Sequence, residues 1–319
     1  ATTVTWTVTD ASGNVATATQ IITVSDMTLP TITAPAAINA TTNTGCIATG
    51  IVLGSPITND NCSVVSVTND APVAFPLGTT TVTWTVVDAS GNVATATQLV
   101  TITDTILPTI TAPAVVTMPT NNGCYAVNVA LGTPVTSDNC SVVSVTNDAP
   151  TSFPLGNTTV TWTVVDGSGN VATTTQLVTI IDISLPTIVA PYTIYTTTNT
   201  GCTTTGLFLG TPVTNDNCSV ATVTNNAPVA FPLGTTTVTW TVVDGSGNTA
   251  TATQIVTVTD ATLPTVLTQA ITVALNANGQ ASITAANVNN GSFDNCGVAT
   301  LSVSPSTFTC ANVGVNTVI

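Results

Sequence analysis

VTWTVVDASGN, residues 82–92, is the stretch on which the fold turns. Its first half alternates. Val82, Trp84 and Val86 face one way and threonines the other, the period of a half-buried β-strand. Asp88-Ala-Ser-Gly91-Asn92 then reads as a hairpin turn. The glycine can take a positive φ, and the aspartate can accept hydrogen bonds from turn amides. Alternation resumes over 93–103, where Ala94, Ala96, Val100 and Ile102 share a face. Further short strands are predicted at 47–53 and 64–67, and β-branched Val and Thr suit pleated surfaces. No segment carries a helical period. Short strands with frequent turns predict an all-β fold, an immunoglobulin-like sandwich.

The stretch recurs as VTWTVTDASGN at 4–14 and as VTWTVVDGSGN at 160–170 and 238–248. Trp6, Trp84, Trp162 and Trp240 recur with a period of 78, and every cysteine but Cys310 keeps the same period. Solenoid repeats run roughly 20–50 residues, so this longer period describes tandem small domains. The expected divisions are 1–28 (the end of a preceding repeat), 29–106, 107–184, 185–262, and a divergent, incomplete repeat at 263–319. Ala1 falls in mid-strand, which reads as a window on a longer chain. Short joints ending in Pro30, Pro108, Pro186 and Pro264 replace flexible Gly/Ser linkers. Proline fixes φ and restricts its neighbour, so an extended, stiff rod is expected.

Composition narrows function. The 319 residues contain no Lys, Arg or His, and all 14 acids are Asp. General acid–base and nucleophilic catalysis lack their usual partners, so no enzyme is expected. A net charge of −14 without bases argues against nucleic-acid partners. No run approaches the length of a membrane-spanning helix. Eight cysteines, seven of them in register, point to disulfides and an oxidising, extracellular setting. The sequence has no CxxC pair for a zinc site. Neighbouring cysteines give the expected pairs Cys46–Cys62, Cys124–Cys140 and Cys202–Cys218. In the last repeat Gln280 stands in the first-cysteine position, so Cys296 is assigned to Cys310. On that assignment the Asp-Asn-Cys corner lies at the exit end of its repeat.

Twelve of the aspartates hold three registers. Asp10, Asp88, Asp166 and Asp244 lie in the hairpin turn. Asp26, Asp104, Asp182 and Asp260 lie in the joint. Asp60, Asp138, Asp216 and Asp294 precede Asn-Cys. Two readings stand side by side. Each class alone suits a turn former or cap. Together, the joint and hairpin aspartates should meet where one repeat ends and the next begins, with the corner aspartates joining from the preceding repeat. That would make a calcium site from Asp26, Asp60, Asp88, Asp104, Asp138, Asp166, Asp182, Asp216, Asp244 and Asp260. Calcium takes about 6–8 oxygens, and Asn61 and Asn170 could add to the carboxylates.

The order of motifs resembles the hyalin repeat. In residues 30–104 it appears as Pro30-Thr-Ile, Cys46, Asp60-Asn-Cys62, Phe75-Pro-Leu-Gly78-Thr-Thr-Thr-Val-Thr-Trp84 and Asp88-Ala-Ser-Gly-Asn92. The resemblance implies an immunoglobulin-like extracellular module associated with adhesion. Thr-rich arrays without bases look like the giant cell-surface adhesins of Bacteroidota, gliding-motility filaments included. The leading expectation is therefore a stiff stalk segment of a surface adhesin, with its glycan or surface target bound by domains elsewhere. The alternatives are a glycan- or ice-binding module and a subunit that self-associates, laterally or end to end by strand complementation.

Overall fold

The computed structural model describes residues 1–319, and nearly all of its regular structure is strand. Contacts group the chain into two compact bodies. One is Ala1–Val116 with Asn128–Thr151 and Asn157–Thr179; the other is Thr117–Val127 with Ser152–Gly156 and Ile180–Ile319.

The first body holds one whole repeat. Its long strand Gly78–Asp88 pairs antiparallel with Val93–Thr103, and Trp84 stands opposite Ala96. Val64–Asn69 adds to the free side of Gly78–Asp88, while Ile38–Thr41 pairs in parallel with Val93–Thr103. Two short antiparallel pairs complete the repeat: Thr31–Thr33 with Ile57–Asn59, and Ile47–Thr49 with Ala74–Pro76. The core lies between the long sheet and these short strands. Val82, Trp84, Val100 and Ile102 from the sheet pack with Ala48 and Phe75. The unit is immunoglobulin-like, with one four-stranded sheet faced by short strand pairs.

Such a core is small, and a buried polar tie supplements it. Gln98 is fully buried on the inward face. Its Oε1 accepts from Trp84 Nε1 at 3.1 Å. Its Nε2 donates to the carbonyls of Ala36 at 2.8 Å and Leu53 at 3.0 Å. One amide thus joins the long sheet to two separate loops. The hairpin that follows the tryptophan strand is set by its own aspartate. Asp88 Oδ1 accepts from the Ser90 and Asn92 amides at 2.9 and 2.8 Å, and Gly91 takes φ 91°.

The second body repeats this plan in Gly234–Asp244, Thr249–Thr259 and the strands around them. Trp240 and Gln254 replace Trp84 and Gln98 there. Beyond Thr259 the chain is sparser, with Gln280–Ser282 paired to Thr307–Thr309 and one helical turn, Ala285–Val288. The opening hairpin, Thr2–Thr9 with Val15–Ile22, pairs only with itself, and Trp6 is 61% exposed.

Candidate junction site

Strand pairing sends the two cysteine loops of a repeat to opposite ends. Asn59 pairs with Thr31, so the Asp60-Asn61-Cys62 corner lies beside the entering chain. Asn61 Nδ2 accordingly donates to Asp26 Oδ1 in the joint, at 3.2 Å. The loop before Cys46 lies at the other end. The Thr42 amide donates to the Thr103 carbonyl, and Thr42 Oγ1 reaches Asp104 Oδ1 at 3.1 Å. Cys46 and Cys62 therefore cannot meet within their repeat.

The cysteines pair across repeats instead. The disulfides are Cys46–Cys140, Cys124–Cys218 and Cys202–Cys296, each with a sequence separation of 94. This corrects the expected Cys46–Cys62, Cys124–Cys140, Cys202–Cys218 and Cys296–Cys310 pairs. It also corrects the expected position of the Asp-Asn-Cys corner, which is at the entrance end. Cys62 and Cys310 are free thiols. Cys310 lies against Gly279, beside the Gln280 that replaces the first cysteine.

Next to each disulfide the corner asparagine bridges two repeats. Asn139 Nδ2 donates to Asp104 Oδ1 at 3.1 Å and to the Gly45 carbonyl at 3.2 Å. Asn217 does the same to Asp182 Oδ1 and the Gly123 carbonyl, both at 3.2 Å. Asn295 repeats it with Asp260 and Gly201. Sequence reading gave Asn61 and Asn170 a possible ligand role and missed this clasp. The signal was present, because Asn precedes every corner cysteine.

The corner aspartate holds its own loop with one oxygen. Asp138 Oδ2 accepts from the Cys140 amide at 2.8 Å and the Ser141 amide at 3.0 Å. Its other oxygen, Oδ1, is buried without a partner, as is Asp104 Oδ2 beside it. The same two orphans recur as Asp60 Oδ1 with Asp26 Oδ2, and as Asp216 Oδ1 with Asp182 Oδ2. Asp104 and Asp182 are only 5% and 7% exposed.

Acidic oxygens gather around these orphans. Asp26, Asp60 and Asp88 present atoms within 4.8 Å of one another, as do Asp182, Asp216 and Asp244. A third cluster is Asp104 with Asp138 and Cys140 Sγ, a sulfur already committed to its disulfide. The corner aspartate in each cluster comes from the repeat that follows the joint, not from the one before it, as the misassigned cysteines had implied. Asp166 approaches the third cluster through Asn170, whose amide donates to Asp166 Oδ2 at 2.7 Å and to the Asp104 carbonyl at 3.2 Å. Asp260 binds Thr198 and Asn295.

The charges are held by hydrogen bonds. Burial works against ionisation of Asp88, Asp166 and Asp244. Hydrogen bonds from Asn92, Asn170 and Asn248 and from the turn amides outweigh it, keeping all three carboxyls below the ordinary carboxylate range. The Thr28 amide, then Asn61, lower Asp26. The Asp26 carboxylate in turn pushes the Cys62 thiol up.

The set of acidic oxygens fits a hard divalent cation in kind, since such ions take carboxylate and carbonyl oxygens. The orphaned buried oxygens are the atoms such an ion would satisfy. No helix is long and apolar enough to cross a membrane.

Fold and junction define the class: tandem immunoglobulin-like repeats clasped at their boundaries. The HYR domain model matches residues 25–102, 103–180 and 181–258. The chain belongs to the HYR domain family, and it is an extracellular, cell-surface array. It is 35% identical to hyalin of Lytechinus variegatus over 287 residues, covering 83% of this chain and 54% of that protein. It is 32% identical to hyalin of Strongylocentrotus purpuratus over 286 residues, covering 83% of this chain and 24% of that protein. The chain thus spans about half of the one relative and a quarter of the other. Among solved structures, protocadherin gamma B2 extracellular cadherin domains 3–6 match at 12% identity with a TM-score of 0.31, covering 81% of this chain and 83% of that one.

Proposed function

We propose that this chain is a non-catalytic spacer in the stalk of a cell-surface adhesin, with calcium at its repeat boundaries. The observation that supports it best is the recurrence of one junction: a disulfide across the boundary and an asparagine clasp three times, with two orphaned carboxylate oxygens beside the first two. A joint repeated this fully within one chain suits a molecule whose task is to hold repeats at a fixed separation. The binding of a surface or glycan target then falls to domains elsewhere. The finer setting we propose, a large bacterial adhesin of the gliding-motility kind, rests on the Thr-rich, base-free composition alone.

Asp26, Asp60 and Asp88 would hold one calcium ion, and Asp182, Asp216 and Asp244 another. Asp104 and Asp138, with Asp166 nearby, would hold a third. Bound there, calcium neutralises carboxylates that no base in the chain can pair. Titration calorimetry with calcium alone is expected to show saturable uptake. The Asp182→Asn/Asp216→Asn variant should lose roughly a third of it, one cluster of three. No uptake, or uptake unchanged in the variant, removes calcium from the proposal. The spacer role has a separate test. Small-angle scattering from chains of two, three and four repeats should give a longest dimension that rises by an equal step per repeat. A dimension that fails to grow contradicts it.

Glycan binding keeps one supporting observation. Tyr192, Tyr195 and Phe208 are exposed on the third repeat, where the first has Ala36, Asn39 and Val52. Gln254 Nε2 bonds the Tyr192 and Leu209 carbonyls, bringing two of these backbone segments together. Loss of glycan-array signal in Tyr192→Ala/Phe208→Ala would support this reading, and an unchanged or absent signal would dismiss it.

A further inference from the structure

The three disulfides overlap. Cys124–Cys218 opens before Cys46–Cys140 has closed, because Cys124 precedes Cys140 in the chain. Cys202 precedes Cys218 in the same way. Tension applied at the termini follows the shortest covalent route. That route enters through residue 46 and crosses to 140. It then runs backwards to 124, crosses to 218, runs backwards to 202, and crosses to 296.

From this topology we propose that the array is a load-bearing tether whose disulfides carry the tension. Most of each repeat lies outside the loaded route. Pulled straight, the backbone from Cys46 to Cys296 would reach roughly 900 Å at about 3.6 Å per residue. The disulfide route uses only the segments 124–140 and 202–218 and three bridges with Cα–Cα 4.6 Å each, so it ends at roughly 130 Å. Each added repeat can therefore yield no more than roughly 60 Å, where an unstapled repeat would yield roughly 280 Å.

The division of labour within a repeat follows. The loaded segment from Cys124 to Cys140 contains only the three-residue strands Tyr125–Val127 and Val135–Ser137. The longer strands Gly156–Asp166 and Val171–Ile181, with Trp162 and Gln176, lie in the loop that tension bypasses. Unpaired, an opened repeat could reach roughly 280 Å; stapled, it is held to roughly 60 Å even if its sheets give way.

The inference deepens the spacer reading and shares its premise that the array separates two points. Its length limits depend only on covalent pairing, so failure of the scattering or calcium tests would leave those limits standing. The test is single-molecule stretching of the whole chain, held by peptide tags ligated at both termini so that no thiol is used as a handle. With the disulfides intact, the fully stretched chain is expected to stop at roughly 370 Å; after reduction it should reach roughly 1,140 Å, a threefold gain. The Cys124→Ser/Cys218→Ser variant opens the middle staple and diverts the load through residues 140–202. It should stop about 100 Å beyond the intact chain. An oxidised chain that extends to roughly 940 Å, the length expected for pairs within repeats, would overturn the inference. A variant indistinguishable from the intact chain would also overturn it.

Discussion

Gln98→Met should destabilise the first full repeat far more than a surface substitution. The side chains are close in volume, so the change leaves packing nearly intact. What it removes is three hydrogen bonds. Trp84 Nε1 and the carbonyls of Ala36 and Leu53 lose their partner. Each buried group left unsatisfied costs about 1–3 kcal/mol. Part of that is recovered by added apolar burial and by small shifts that admit water. A net loss of about 3 kcal/mol is expected. For a repeat of this size, each kcal/mol moves the midpoint by about 4–8 °C. Calorimetry of the whole chain should therefore show one transition split away and lowered by more than about 10 °C, with the rest unmoved. Gln176→Met and Gln254→Met should act alike on their own repeats. A shift below about 3 °C in all three would mean that the amide does not tie the sheet to the loops.

Other consequences follow from the same contacts. Asn139→Ala removes the donors to Asp104 and Gly45 and should cost about 1–3 kcal/mol, read as a lower midpoint in the same scans. The carboxyls of Asp88, Asp166 and Asp244 are depressed in the folded state. Their stabilisation is thus full above the unfolded carboxylate pKa of about 3.9 and is lost as pH falls through the lower folded value. Melting temperature should hold near neutral pH and fall below about pH 4, with a shallower fall in Asp88→Asn. Thiol labelling of the unreduced, denatured protein should modify Cys62 and Cys310 and no other cysteine. In the folded protein Cys62 should react slowly, because Asp26 disfavours its thiolate.

Much of the fold was legible because the pattern is local. Alternation about Trp84 placed Val82, Trp84 and Val86 inward, and all three are buried. The Asp88 turn carries its own hydrogen bonds between Asp88 and Asn92, so its residues alone announce it. The three-residue strands were harder to read. Thr31–Thr33 and Ala74–Pro76 are too short to show a period and exist through their pairing. Gln98 was overlooked because a polar residue on an inward face interrupts the pattern that betrays a strand.

The junction misled for a physical reason. Cysteines as close in the chain as Cys46 and Cys62 suggest a local loop, and sequence spacing has no sign for which end of a sandwich a loop occupies. The pairing of Asn59 with Thr31 decides that, and it sends Cys62 to the entrance while Cys46 stays at the exit. Periodicity then concealed the answer. Cys62 and Cys140 stand in the same register of successive repeats, so the spacing of the cysteines suits either one as the partner of Cys46.

Cleavage before aspartate resolves the two pairings directly, since the chain offers trypsin no site and places an aspartate between the cysteines in question. The unreduced protein, denatured in acid and digested, should yield residues 26–59 joined to 138–147 through Cys46 and Cys140. It should also yield 104–137 joined to 216–243 through Cys124 and Cys218. Residues 60–69, carrying Cys62, should appear alone. Residues 26–59 joined to 60–69 would place the disulfides within repeats and contradict both the clasped junction and the tether built on it.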